Sequence, residues 1–325
     1  MPYICDVPRR NINLNISESV RWYTTINCDF RAVATLIKAT KETMWNITRK
    51  ILGKYVKHYY VRYGGLYQEE MRAWAAALGI AYEDVLLANC SYELSHIIPG
   101  LGIFGCTAGI VNTTKGPVHV RNMDWPLCGI GQATRLFKFH NQQHKFYSVG
   151  IAGFVGVLSG MVPKAYSVTI NWAPADGLPT FDFSPTMLLR HTLETCDTYS
   201  AAVQILKNTP IATPVLYVVC GAKQDEACVI ERTKTASGVR KMEGHPLVQA
   251  NHFVSPKFEK LNVDEELVED STGRMECLES ALANRRRGLI TSLDTEPVFN
   301  GDTQQQMLFC PATGAIQVYR YVSRL

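Results

Sequence analysis

The run Gly105-Cys106-Thr107 is followed closely by Arg121 and Asp124, and these side chains are the ones whose chemistry would combine. A thiol attacks a carbonyl only as thiolate, which needs a base to take its proton and a positive field to hold the charge. If the chain were cut before Cys106, the freed α-amine, titrating near pH ~8, would supply the base on the same residue. Asp124 would then hold and orient the ammonium form. Arg121 would stabilise the thiolate and bind negative charge developing on the attacked group. The plainer reading is that Gly-Cys-Thr at a strand start is a buried small hydrophobe, and pattern alone leaves both open.

For these residues to meet, the chain must fold back between them. The runs Cys106 to Asn112 and Val118 to Trp125 are β-rich, and Thr113-Thr114-Lys115-Gly116-Pro117 between them has turn chemistry, so a hairpin is predicted. Pairing Asn112 with Val118 sets Cys106 opposite Asp124, with Cα atoms roughly 5 Å apart. Alternation then puts Asn122 and Asp124 on one face and Arg121 on the other. In that register Arg121 joins the other two only if the strand bulges near Met123.

Around the hairpin, helices are predicted from Val33 to Tyr55, where Val33, Ile37, Met44, Ile47, Ile51 and Tyr55 follow helical spacing, and from Tyr67 to Leu78, with Gly79 as its stop. Lys38, Lys41, Arg49, Lys50, Lys54 and Lys57 flank the first, which reads as a core helix with a solvated basic side or as a peripheral membrane contact. Further strands are suggested at Phe146 to Ile151, Tyr166 to Asn171, Val215 to Cys220, Cys228 to Arg232 and Ile316 to Val322. Pro185 to Cys196 and Ser200 to Lys207 suit helices. The polar stretch around Asn262 to Gly273 reads as a linker. The expected fold class is α+β in layers behind a mostly helical first hundred residues.

The 325 residues, 46% of them hydrophobic, suffice for a sizeable core in one large domain or two modest ones. A formal charge of +4 is too small an excess for a phosphate backbone, so no nucleic-acid partner is expected. The uncharged stretch from Ile97 to Val111 is too short and too broken by Pro99 and glycines to span a bilayer. Ten cysteines include no Cys-x-x-Cys pair, so neither a metal nor another cofactor is expected.

Gly105-Cys106-Thr107 with Lys115-Gly116, Arg121-Asn122-Met123-Asp124 and Trp125-Pro126 closely resembles the β-subunit start of the acid ceramidase and N-acylethanolamine acid amidase family. The likeness continues in order along the chain: Ile12-Asn13-Leu14, Arg21-Trp22, Glu69-Glu70-Met71, Tyr92-Glu93-Leu94, Gly156-Val157-Leu158-Ser159-Gly160, Ser167-Val168-Thr169-Ile170-Asn171 and Cys228-Val229-Ile230-Glu231-Arg232. The resemblance implies a four-layer αββα sandwich of the N-terminal nucleophile type. It further implies a segment 1–105 corresponding to the α-subunit, and a catalytic segment 106–325 that stays associated with it after cleavage at Gly105-Cys106. Cys106 would be the nucleophile of a cysteine amidase acting on fatty N-acyl amides, with Arg121 and Asp124 its partners. Asn251 would be an oxyanion donor and Arg274 a support of the cysteine environment. Unaided, Asn251 reads as a turn residue and Arg274 as a surface arginine at a helix start.

Two departures bear on substrate. The loop between Cys106 and Arg121 is one residue shorter than in the ceramidases. Where those enzymes place glutamate, this chain has Trp172, closer to the Asn-aromatic pair of choloylglycine hydrolases. Asn171 is therefore a second candidate oxyanion donor, and Trp172 a candidate wall of an acyl pocket. Acyl transfer is the alternative to hydrolysis, since penicillin acyltransferase resembles this chain in Gly-Cys-Thr and in its ending. A papain-like peptidase lacks its local signature here, and a non-catalytic lipid-binding protein is the rival of another class. Met-Pro-Tyr-Ile-Cys-Asp shows no secretory signal, and Ser323-Arg324-Leu325 fits a peroxisomal address or a final strand. The expected location is cytoplasmic or peroxisomal, and lysosomal only if a signal was trimmed.

Overall fold

The computed structural model describes residues 3–43, 66–97, 105–126, 129–174, 177–284 and 288–322. The later half of the expected Val33–Tyr55 helix and the Ser323-Arg324-Leu325 ending lie outside them.

Two sheets face each other. The first contains β1 (Tyr3–Cys5), β14 (Ala315–Val322), β13 (Thr303–Cys310), β4 (Gly116–Asp124), β3 (Gly105–Thr113) and β12 (Leu247–Gln249), in that order. The second runs β11 (Ser237–Lys241), β10 (Ala227–Arg232), β9 (Val215–Gly221), β8 (Tyr166–Asn171), β7 (Ser159–Val162), β6 (Lys145–Ile151), β5 (Thr134–His140) and β2 (Arg9–Asn13). All neighbours are antiparallel except β2 beside β5. Helix α7 (Glu265–Asn284) covers the outer face of the first sheet, where Leu278 and Leu282 pack on Val111, Val118 and Val248. Gly109 permits this approach, because a Cβ there would stand 2.7 Å from Leu282 Cδ1. Helices α5 (Pro185–Thr195) and α6 (Tyr199–Asn208) cover the second sheet, completing the αββα stack.

The chain ahead of Cys106 is mostly helical: α1 (Tyr23–Thr43), α2 (Gln68–Leu78), α3 (Tyr82–Asn89) and the single turn α4 (Ser91–Leu94). Helix α2 ends as its sequence predicts, on Gly79 at φ +63°, whose N–H reaches the carbonyls of Ala75 and Ala76. This part also supplies β1 and β2, an edge strand to each sheet, so its backbone is continuous with both layers. Trp22 presses edge-on against Phe137 and Phe139 of β5, joining the helices to the same core.

Three expectations need correction. The hairpin turn is two residues, Thr114 and Lys115, not five, and pairs Thr113 with Gly116, Asn112 with Pro117 and Cys106 with Met123. The Thr113 hydroxyl donates to Gly116 O and accepts from Lys115 N–H, while Gly116 takes φ +109°, a left-handed value that tightens the turn. The bulge lies not within the hairpin but across β4 on β13, between Thr303 and Gln305. Finally, most of the polar stretch Asn262 to Gly273 forms the first half of α7 instead of a linker.

On α4, Glu93 is buried and neither carboxylate oxygen closes a hydrogen bond of normal geometry, although the Ser184 hydroxyl faces it. Burial pushes its carboxyl up to about 7. A group raised on folding adds stability that is full below about 4.5 and is lost as pH climbs through about 7. We predict that Glu93→Gln gains on the order of 2–3 kcal/mol over the parent chain at pH 8 and almost nothing at pH 4. Urea midpoints at the two pH values measure this. An equal gain at both would show that Glu93 is not the titrating group.

Candidate active site

Because Cys106 pairs with Met123, alternation sends Cys106, Ala108, His119 and Arg121 into the space between the sheets, without any bulge in the hairpin. Thr107, Gly109, Asn122 and Asp124 point the other way, toward α7 and the segment leading into β13. The one-residue shift thus brings Arg121 to the sulfur and moves Asp124 to the neighbouring Gly105, across the peptide link that precedes Cys106.

Cys106 is fully buried. Arg121 Nη2 lies 2.9 Å from its Sγ and also donates to Ile170 O, while Nη1 donates to Leu158 O at 3.0 Å and to the Ser159 hydroxyl. Apart from the sulfur, the acceptors around this buried guanidinium are two carbonyls and a hydroxyl. Burial pushes the Cys106 thiol up, and Arg121 works against it by favouring the thiolate. Below Arg121, His119 is wedged between Ser167 and Thr169 of β8 at 3.1 Å each, which fixes the two sheets to one another at this point.

The backbone of Cys106 is held as firmly as its side chain. Its N–H donates to Asn251 Oδ1 at 3.0 Å, and its carbonyl accepts from Arg274 Nη1 at 2.9 Å and Asn171 Nδ2 at 3.3 Å. Arg274 Nη2 also reaches Asn251 Oδ1, and Nη1 reaches the Thr107 hydroxyl, while Asp270 pairs with the guanidinium at 2.7 Å. Far from being a surface residue at a helix start, Arg274 sits in the middle of α7 and is almost fully buried. With the Gly105–Cys106 bond intact, the face that Asn251 turns to Cys106 is its carbonyl, and its Nδ2 donates to Trp172 O at 3.0 Å. Asn171 Nδ2 is shared among carbonyls of Cys106, Gln249 and Ala250. Trp172 is nearly buried and stacks on His96, ring centroids 5.1 Å apart.

Asp124 is buried, and burial raises its carboxyl to about 6 despite hydrogen bonds from Thr303 and Asn300 and the positive charges of Arg274 and Arg121. A cavity of about 490 Å³ opens beside Gly105, walled by Asp124, Asn251, Arg274, Asn300 and Asp302; Trp172 is not part of that wall. The hairpin and Asn251 thus place Cys106, Arg121, Asp124 and Arg274 around one peptide link.

Several polar groups at the site escape sequence reasoning. Ser271 accepts from Asn251 N–H at 2.8 Å and lies 2.7 Å from His252 Nδ1, one helical turn before Arg274. Its spacing of three from Arg274 is the one available signal. Thr303 and Asn300 belong to the turn Asn300-Gly301-Asp302-Thr303, whose composition marks a turn but not its target.

Residues 111–287 match the family model described as acyl-coenzyme A:6-aminopenicillanic acid acyl-transferase. The chain is 25% identical over 242 residues to the N-acylethanolamine-hydrolyzing acid amidase of Cavia porcellus, and 26% identical over 265 residues to the acid ceramidase of Balaenoptera acutorostrata scammoni. These alignments cover 70% and 71% of this chain and 65% of each relative, so the chain spans about two thirds of their length. A solved structure of the Caenorhabditis elegans N-acylethanolamine-hydrolyzing acid amidase ortholog superposes with a TM-score of 0.53 at 22% identity, over 64% of this chain and 93% of that one. The fold is the α+β sandwich of that structure.

Proposed function

Because this chain belongs to the acyl-coenzyme A:6-aminopenicillanic acid acyl-transferase family, we propose that it is a self-cleaving cysteine amidase that hydrolyses fatty N-acyl amides. The observation that carries this reading is the clamp on one residue. Arg121 binds the sulfur of Cys106, Asn251 binds its N–H, and Asp124 stands over Gly105 on the other side of the same bond. A merely buried thiol has no need of a guanidinium on its sulfur.

In maturation, Cys106 Sγ adds to the Gly105 carbonyl carbon, the C–N bond breaks and the nitrogen takes a proton. The resulting Gly105 thioester is hydrolysed by water, leaving a free thiol and an α-amine on Cys106. In turnover, the amine accepts the thiol proton, the thiolate attacks the substrate carbonyl, and the ammonium returns the proton to the departing amine. Water then releases the fatty acid from the thioester. Asn251 Oδ1, which now accepts from the peptide N–H, would accept from the new amine, and Asp124 would balance the ammonium. Arg121 steadies the thiolate. Asn251 and Asn171 would donate to the oxyanion once their amides leave the carbonyls they now bind.

The amidase and ceramidase relatives are named for N-acylethanolamine and ceramide, both fatty amides, and this supports the substrate class. Each buried methylene can add ~0.8 kcal/mol, so palmitoyl amides should exceed acetyl amides in kcat/KM by two orders of magnitude or more. Mass spectrometry of products from a panel graded in chain length tests this, and equal turnover of the two ends of the series would sink it. The family's description favours a second reading, in which an amine instead of water takes the acyl group from the thioester. Supplying an amine acceptor to the same assay separates the two: a new amide marks transfer, a free fatty acid marks hydrolysis.

A further inference from the structure

We propose that Thr303 and Asn300 are positioning residues for Asp124, holding its carboxylate ionised and aimed at the amine side of Cys106. The inference rests on the amidase reading but names groups that neither the resemblance nor the relatives assign. Its basis is the bulge on β13. One extra residue, Gln304, separates the pair Thr303–Asp124 from the pair Gln305–Met123, and this sets Thr303 directly beside Asp124. A regular strand would have placed Gln304 there.

Each carboxylate oxygen of Asp124 then has its own neutral donor. The Thr303 hydroxyl gives its proton to Oδ1 at 2.7 Å, and Asn300 Nδ2 donates to Oδ2 at 3.2 Å. The donors are themselves fixed. Asn300 N–H donates to the Thr303 oxygen at 3.1 Å, Thr303 N–H donates to Asn300 O, and Asp302 N–H donates to Asn300 Oδ1 at 2.9 Å. Because the Thr303 oxygen already accepts a hydrogen bond, its own proton is left free to point at Asp124. Trp125 N–H donates to Asp302 O, tying the turn to the end of β4. Asp124 Oδ2 ends 3.5 Å from where a side chain on Gly105 would begin.

The other ionisable groups that face Asp124 pull in both directions. Burial opposes its charge and Arg274 and Arg121 favour it, while Asp264, Glu266, Asp302 and the Arg274-paired Asp270 line the same cavity, and Cys106 opposes it once it is a thiolate. Neutral donors that bind only the ionised form decide such a balance. Without them the buried carboxyl would keep its proton to higher pH and hold the ammonium less well.

The test titrates Asp124 by 13C NMR of the aspartate carboxyl carbons in the full chain carrying Cys106→Ala, with Asp124→Asn identifying the resonance. Thr303→Val should move the midpoint to higher pH by about one pH unit or more, and Thr303→Ser should restore it. Asn300→Ala, at a half-buried turn position, should shift it the same way and serves if Thr303→Val does not fold. In chains that keep Cys106, the acid limb of Cys106 alkylation should move with these midpoints, and Thr303→Ser should return it to that of the parent. Unmoved midpoints in both variants overturn the proposal. A parent chain that never cleaves itself overturns the amidase reading instead, and the NMR midpoints still decide this one.

Discussion

Cys106→Ala is expected to stay a single chain of 325 residues, whereas the parent protein resolves on a denaturing gel into fragments that begin at Met1 and Cys106. The reason is stoichiometric. The thiol that attacks the Gly105 carbonyl in the proposed first step is that of the adjoining Cys106, and alanine offers no atom to form the thioester. The fold should survive, because Cys106 lies against Met123 in a core where alanine is already used at position 108. Removing one buried sulfur costs a small cavity and one acceptor of Arg121, whose Nη2 keeps Ile170 O. Activity toward N-acyl amides should fall by on the order of a million-fold, the scale on which losing a covalent nucleophile is felt. Intact mass, N-terminal sequencing and turnover of a long-chain N-acyl amide measure the three consequences. A Cys106→Ala chain that still separates between residues 105 and 106 would end the mechanism.

The same hairpin shows where sequence reasoning reaches and where it stops. The β-rich runs find β3 and β4 to within a residue or two at each end, because both faces are buried and nearly every side chain belongs to a layer. Register depends on how many residues the turn consumes, and that is decided by one threonine hydroxyl and one left-handed glycine, which leave no periodic trace. A single residue of slip exchanges the partners of the sulfur. Strand β13 goes unread for a different reason: Gln305 and Gln306 are buried, their amide groups donating to Thr134 and Asp294, yet a run of glutamines looks like surface. Most of the supposed linker became α7 because the inward face of its first half carries Ser271, and Arg274 follows one turn later. A helix that packs on a site through hydrogen bonds shows a weak apolar stripe. The proposed nucleophile and its partners are legible through resemblance, and the hydroxyls and amides around them are not, since their contacts are distant in sequence.

Removing the charge of Glu70 should cost about 3–5 kcal/mol, the largest stability loss expected from a single polar substitution here. Arg190 on α5 is fully buried and binds both carboxylate oxygens of Glu70, Nη1 to Oε2 at 2.5 Å and Nη2 to Oε1 at 2.7 Å. Its Nε reaches Glu194 at 3.0 Å, and its guanidinium lies 3.8 Å from the Tyr67 ring centroid, while the Tyr67 hydroxyl donates to Glu194. Arg21 adds a second cation to Glu70 at 3.1 Å. Glu70→Gln keeps the shape but leaves Arg21 and Arg190 with the partly exposed Glu18 and Glu194 as opposing charges. The desolvation of Arg190 is then no longer offset, which is why breaking such a pair costs more than the pair itself contributes. Replacing both partners by apolar groups, Glu70→Leu with Arg190→Met, should therefore lose less than Glu70→Gln alone. The location adds a consequence. Arg21, Tyr67 and Glu70 precede Cys106 while Arg190 and Glu194 follow it, so after the proposed cleavage this cluster would be a noncovalent tie between fragments, alongside β1 and β2. Urea unfolding of the uncut Cys106→Ala background isolates the stability term, and size-exclusion chromatography of the cleaved protein shows whether the fragments part. Equal midpoints for Glu70→Gln and its parent would mean that Glu194 alone suffices for Arg190, and the two fragments would then be held by the strands and the apolar core without this charge cluster.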